Sequence, residues 1–218
     1  MSIAAPNLAA SDVRERPVQP LRAVAGGEAI NVAAAEQAVR DLLVALGRDH
    51  SAEHLRATPR RVVGALAEML TPAPFDLTTF ANEEGYDELV VARDIPFRSL
   101  CLYQLLPFHG VAHVGDIPAE RIAGLSKLAR VVELFARDLQ VQERLTKQVA
   151  DWLQTSVAPE GVVLEAEHHC MKRSGVRATG SRTVTSAVPR PASRRCRVPP
   201  GILRRHRHPL LAVEHAVT

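Results

Sequence analysis

Residues 97–110 read FRSLCLYQLLPFHG, with one cysteine, Cys101, in a stretch that is otherwise mostly apolar and holds a proline. On either side lie two β-branched runs, ELVVARDIPF (88–97) and HGVAHVGDIP (109–118), bounded by Pro, Gly and Asp. Such runs predict two strands, with Cys101 in the turn between them.

Working outward, INVAAAEQAVRDLLVALG (30–47) and SAEHLRATPRRVVGALAEML (51–70) carry helical spacing and predict an N-terminal pair of antiparallel helices. Downstream, Leu125, Leu128, Val132, Phe135 and Leu139 recur at three- and four-residue steps and form one apolar stripe of a helix. Leu145, Val149, Trp152 and Leu153 repeat the pattern in a second helix. GVVLEAEHHCM (161–171) then alternates as a strand, with Val162, Leu164, Ala166, His168 and Cys170 sharing one face. VRATGSRTVTSAV (176–188) reads as a final strand. Two helices, two strands, two helices and two strands, with no βαβ alternation, predict an α+β fold: an antiparallel sheet with two helices on one face, preceded by a helical hairpin.

The chain of 218 residues is 46% hydrophobic, enough for one ordinary core. It has no apolar run of the ~18 residues that a membrane span needs. The N-terminus lacks the basic-then-apolar order of a secretory signal. Cys101, Cys170 and Cys196 are too few and scattered for a disulfide framework. That usage points to a reducing, cytoplasmic setting and to thiols kept for metal or catalysis. Seven arginines against a single acid, Glu214, give residues 189–218 a charge of +6, which against +3 for the whole chain leaves −3 for residues 1–188. The basic balance therefore belongs to the tail, and a nucleic-acid-binding domain is not indicated. The expected organisation is a disordered arm over 1–28, helices over 29–72, a catalytic domain over 73–188 and a basic, disordered tail over 189–218.

Cys101 and Cys170, the latter beside His168, suit a soft-metal site if a third ligand joins them, because catalytic zinc takes three protein ligands and a water. Free cysteine also serves often as a small buried apolar side chain, so spacing alone leaves both readings open. Lys127 and Arg130 are likewise either a solvated helix face or cations for an anionic ligand.

Taken together, DIPFRSLC (94–101), LLPFHGVAHV (105–114), the helical stretch 122–154, EAEHHCM (165–171) and GSRTVTSA (180–187) resemble the GTP cyclohydrolase I family, in order and at matching spacing from Val32 to Val188. The resemblance implies the tunnelling fold, a homo-oligomer that is a decamer in the family with sites at subunit interfaces, and zinc as cofactor. It implies GTP as substrate, opened at guanine C8 to give 7,8-dihydroneopterin triphosphate and formate, with no nucleic-acid or membrane partner. Zinc would acidify a bound water. By position, Cys101 and Cys170 match the family's two zinc-binding cysteines, and His168 matches its proton-transferring histidine. Glu143 matches the acid that reads the guanine N1 and 2-amino edge. Gln142 and Ser126 match contacts to purine or ribose, and Lys127 and Arg130 match cations for the triphosphate.

The chain departs from the family where Cys-Glu-His-His becomes Cys101-Leu102-Tyr103-Gln104. Gln104 holds the third ligand position, and its amide oxygen is a poor zinc ligand beside imidazole or thiolate. Ser174 replaces a phosphate-binding arginine, with Arg173 next to it as the substitute. His109 and His113 are the nearest other imidazoles. These substitutions predict weakened zinc binding and raise a second reading, a catalytically impaired relative that serves as a GTP- or pterin-binding or regulatory subunit.

The tail departs too. One coding sequence, GGA ATT CTT CGC CGT CAC CGG CAC C, spells Gly201 to His208 and starts Pro209. Read one base later it spells Glu-Phe-Phe-Ala-Val-Thr-Gly-Thr, which is similar to a family ending. A reading-frame shift shortly after Ser186 is the expectation.

Overall fold

Asn31 opens the first regular element. Its side-chain oxygen accepts from the Ala34 N–H at 3.0 Å, which satisfies one donor that a helix start leaves over, and α1 (Val32–Ala45) follows. A computed structural model describes residues 29–74, 78–118, 120–156, 159–172 and 175–187. The arm expected over 1–28, the tail over 189–218 with its frame shift, and Arg173 and Ser174 lie outside the described residues. α2 (Thr58–Leu70) starts later than the spacing from Ser51 predicts, because Pro59 suits a first helical turn and the residues before it form turns. The two helices pack on one another as a hairpin.

The chain continues through β1 (Thr79–Ala81), β2 (Val90–Cys101), β3 (Pro107–Asp116), β4 (Arg121–Ala123), α3 (Leu125–Ala136), β5 (Leu139–Gln140) and α4 (Gln142–Ser156). It finishes with β6 (Pro159–His168), α5 (His169–Lys172) and β7 (Thr183–Ala187). A five-stranded sheet has the order β5-β2-β3-β6-β7, while β1 and β4 pair as a separate two-stranded sheet that sequence spacing did not announce. All pairs in the large sheet are antiparallel except β2 with β5. The architecture is α+β, as expected.

α3 and α4 cover one face. Phe97, Phe108, Ala112, Val114, Leu164 and Ala166 meet Leu128, Val132, Phe135, Leu145, Val149 and Leu153 in one buried cluster. Each Val, Leu or Phe side chain among them contributes roughly 1.5–3 kcal/mol of transfer free energy. The stripe read from sequence needs two corrections. Leu125 is 65% exposed, since it stands at the very start of α3. Leu139 leaves the helix altogether and joins β5, whose Cα partner across the sheet is Leu100. Its N–H is taken by the Asp138 side chain at 2.7 Å.

Two backbone features set the register. Between Ala92 and Ile95 the β2–β3 pairing shifts, with Asp94 at φ 57° and its N–H donated to Nδ1 of the buried His113 at 3.2 Å. This is a β-bulge held by a side chain. Further along, a Cβ on Gly110 would lie 1.8 Å from the Glu165 carbonyl oxygen, so β3 can approach β6 this closely only with glycine there. Among the described residues no helix is long and apolar enough to cross a membrane.

Candidate active site

Strand register gathers one end of the sheet. Leu100 faces Pro107, Phe108 faces His168, Ala166 faces Thr183, and Cys101 is the Cα partner of Gln140. The ends of β2, β3, β6, β7 and β5 therefore bring Cys101, His168 and the first residues of α4, Gln142 and Glu143, to a common edge.

His168 is the best-defined group there. Its ring stacks on the fully buried Phe108, with centroids 4.6 Å apart and planes 8° from parallel. Its Nε2 lies 2.8 Å from Gln142 Oε1. Gln142 is 1% exposed, and its Nε2 donates to the carbonyls of Leu164 at 3.0 Å and Thr183 at 2.9 Å. Carbonyls only accept, so the amide nitrogen must face them and the amide oxygen must face the histidine. His168 therefore donates from Nε2, and in its neutral form the lone pair is on Nδ1. Burial lowers the His168 pKa, and the nearby Glu143 carboxylate opposes that shift. At neutral pH the ring is thus held as a base at Nδ1, which fits proton transfer.

The same contacts change the reading of Gln142. The described hydrogen bonds occupy both its N–H groups and its oxygen, so it orients His168 and backbone. Glu143, next along, is exposed and heads a groove of about 390 Å³ between α4 and β7, lined also by Thr146, Lys147, Asp151, Thr185 and Ser186.

Sequence spacing did not find two residues of this region. Phe108 looked like one more apolar strand position, and only the register shows it under His168. Gln140 is 1% exposed, and its Nε2 donates to Phe135 O and Gln148 Oε1, both at 2.8 Å. It ties the ends of α3 and β5 to α4, and its carbonyl accepts from the Leu102 N–H at 2.9 Å. A lone Gln beside an apolar stripe was the signal available.

Cys101 and Cys170 are half-buried free thiols. Cys101 is the last residue of β2 and not part of the turn; its N–H donates to Leu106 O at 2.9 Å and closes the hairpin. Cys170 does not continue the strand with His168 but lies in α5. The ladder stops because β3 begins at Pro107, which has no N–H to offer; its carbonyl instead receives the His169 ring at 2.9 Å. Leu102, Tyr103 and Gln104 form an exposed turn, with Tyr103 at 79%. Among the described residues no three His, Cys, Asp or Glu side chains converge as a metal-binding group.

Ser126, Lys127 and Arg130 are placed elsewhere. Gln140 fixes the end of α3 at Phe135, and at 1.5 Å rise per residue Ser126 and Lys127 stand roughly 12–14 Å farther along the axis. Ser126 and Lys127 share the start of α3, away from the end that Gln140 fixes, and Arg130 stands midway along the helix. Arg173 lies outside the described residues.

Residues 35–195 match the family model described as GTP cyclohydrolase I. A protein named GTP cyclohydrolase 1 from Streptomyces avermitilis is 52% identical over 161 residues, covering 71% of this chain and 80% of its own. Proteins of the same name from Thermobifida fusca, 51% identical over 160 residues, and Mycobacterium tuberculosis, 50% over 161, cover 70% and 71% of this chain and 77% and 80% of their own lengths.

Proposed function

This chain belongs to the GTP cyclohydrolase I family, and from that premise we propose that it is a cytoplasmic hydrolase that opens the guanine ring of GTP. One water is consumed overall, formate leaves, and 7,8-dihydroneopterin triphosphate is the product, the entry to pterin and tetrahydrofolate synthesis. The observation that carries this reading is the His168–Gln142 pair at 2.8 Å, with Gln142 locked by two backbone carbonyls and Phe108 under the ring. It supplies a neutral imidazole with a free lone pair on Nδ1, suited to taking and returning a proton as the ring opens. Glu143 at the mouth of its groove supports recognition of the guanine N1 and 2-amino donors.

The zinc of the family does not fit the residues present. Cys101 and Cys170 offer two thiolates, the third position is Gln104 in an exposed turn, and no three-donor group forms among the described residues. No step is therefore routed through a metal. Lys127 and Arg130 are proposed to hold the triphosphate, with Arg173 sharing that role, and Ser126 to contact purine or ribose. Their distance along α3 from His168 supports a pocket completed by a second copy in a homo-oligomer, a decamer by family resemblance.

The Leu102–Gln104 turn favours one other reading, an impaired relative that binds GTP or a pterin and serves a regulatory role. Equilibrium binding of GTP and of neopterin, and neopterin fluorescence after oxidation, for the chain as it is and for Tyr103→His with Gln104→His, separate the two. GTP binding is expected in both proteins. Turnover in the natural chain supports the enzyme, turnover only in the double variant supports the impaired relative, and binding of neither GTP nor neopterin by either protein overturns both.

A further inference from the structure

On the sheet face opposite α3 and α4 there is a second pair of imidazoles. His109 of β3 and His169 at the start of α5 are both exposed, with ring centroids 6.0 Å apart and planes tilted by 48°. The Pro107 carbonyl can only accept, so its 2.9 Å contact with His169 Nδ1 puts the proton on that nitrogen and leaves the lone pair on Nε2. A backbone carbonyl on the far nitrogen is how metal-binding imidazoles are commonly oriented. Two imidazoles that share one ion, each at about 2.0–2.1 Å from nitrogen to metal, bring their ring centroids to about 4.5–6 Å. The observed separation lies at the open end of that range.

The surroundings are charged. His109 is the Cα partner of Glu167, whose carboxylate is bound by Lys172 at 2.6 Å and approached by Arg182 at 3.4 Å, while Arg182 also pairs with Glu165 at 2.7 Å. Arg98, the Cα partner of His109 on the β2 side, adds a third base to these two acids and two bases, so the imidazoles bind an ion against one net positive charge. Since no three His, Cys, Asp or Glu converge among the described residues, the pair offers two ligands and water supplies the rest.

We propose that His109 and His169 chelate one borderline divalent transition-metal ion, of the Ni²⁺ or Zn²⁺ kind, on the sheet face opposite α3 and α4. The ion would clip α5 to β3 and would use neither Cys101 nor Cys170. Imidazole nitrogen suits this class of metal, whereas Mg²⁺ and Ca²⁺ prefer oxygen.

The test is calorimetric titration of the untagged full chain with NiCl₂, alongside near-ultraviolet absorption and thermal melts. One Ni²⁺ per chain is expected, without the thiolate-to-metal absorption that cysteine ligation produces. His109→Asn and His169→Asn should each weaken binding by about tenfold or more, while Cys101→Ser with Cys170→Ser leaves it unchanged. Ni²⁺ should raise the melting temperature only when both histidines are present. His109→Asn leaves the His169–Pro107 contact in place, so its metal-free melt keeps loss of binding distinct from loss of fold. Unchanged affinity in either histidine variant, or binding abolished by the cysteine pair, overturns the proposal.

Discussion

The His168 end of the site and the Cys101 turn sit at the same edge of one sheet, yet they are built differently. His168 rests on buried Phe108 and is held by Gln142, whose donors end on two backbone carbonyls. Leu102, Tyr103 and Gln104 project from a hairpin turn, exposed, with backbone bonds from Leu102 to Gln140 and from Gln104 to Cys101. Buried polar groups are costly to leave unmade, while exposed turn residues are nearly free to change. The demands of folding alone therefore constrain the His168 half of the site and leave the Cys101 turn unconstrained. Leu102, Tyr103 and Gln104, where the motif resemblance expects Glu-His-His, lie in that turn.

Substitutions can break this contrast, and the largest effect is expected at Phe108. Phe108→Ala should cost about 3–5 kcal/mol in denaturant unfolding. It should also let water reach His168, moving its titration, followed by NMR, up toward the ordinary imidazole range. A loss below about 1 kcal/mol would mean that the stack is not part of the core. Gln142→Ala comes next, at about 2–3 kcal/mol, because it strands the Leu164 and Thr183 carbonyls and the His168 donor. The conservative Gln142→Glu should not restore stability, since a carboxylate cannot donate to two carbonyls.

A smaller effect belongs to Glu167, whose pKa is lowered chiefly by the hydrogen bond and charge of Lys172. A depressed carboxylate adds stability that is full above its ordinary value of 4.5 and fades as pH falls through the lower folded value. Glu167→Gln should flatten that acid-side part of the stability curve, and salt should shrink the difference between the two proteins. Indistinguishable acid-unfolding curves would remove this pair from the account. The smallest change is expected for Tyr103→His with Gln104→His, within about 0.5 kcal/mol by thermal or denaturant melts. A much larger loss would show that the turn carries structural weight and would erase the contrast between the two halves.

Much of the fold was legible because periodicity reports burial directly. Leu128, Val132 and Phe135 repeat at helical spacing and do line the core, and the two strands around Cys101 fell where the β-branched runs placed them. What escaped depends on partners that one strand's pattern does not carry. Cys170 alternates correctly with His168, but the neighbouring strand ends at Pro107 and the ladder has nothing further to bond. Leu139 keeps helical phase, but a parallel bridge to Leu100 captures it. The last strand is shorter than its β-branched composition suggests, because Gly175, Arg177 and Gly180 all adopt positive φ before Thr183. In the site, residue types were readable from motif order, whereas the role of Gln142 was not. Its amide orientation follows from two carbonyls 22 and 41 residues away in the chain.

The bulge at Asp94 has a bearing on how this chain tolerates changes of length. Ala92 and Ile95 are three residues apart, an odd step, yet both contact the same apolar cluster. The extra residue switches the parity of the strand once, and from Ile95 onward odd-numbered positions point toward the helices as far as Cys101. Removing Arg93 or Asp94 would bring Ala92 and Ile95 to an even step, so a regular ladder would keep both facing the helices and leave the series on either side undisturbed. A one-residue deletion after Ile95 has the opposite outcome, because it inverts the approach to the cysteine. Tolerance is thus local along β2: the bulge absorbs a one-residue deletion, and the seven residues from Ile95 to Cys101 do not.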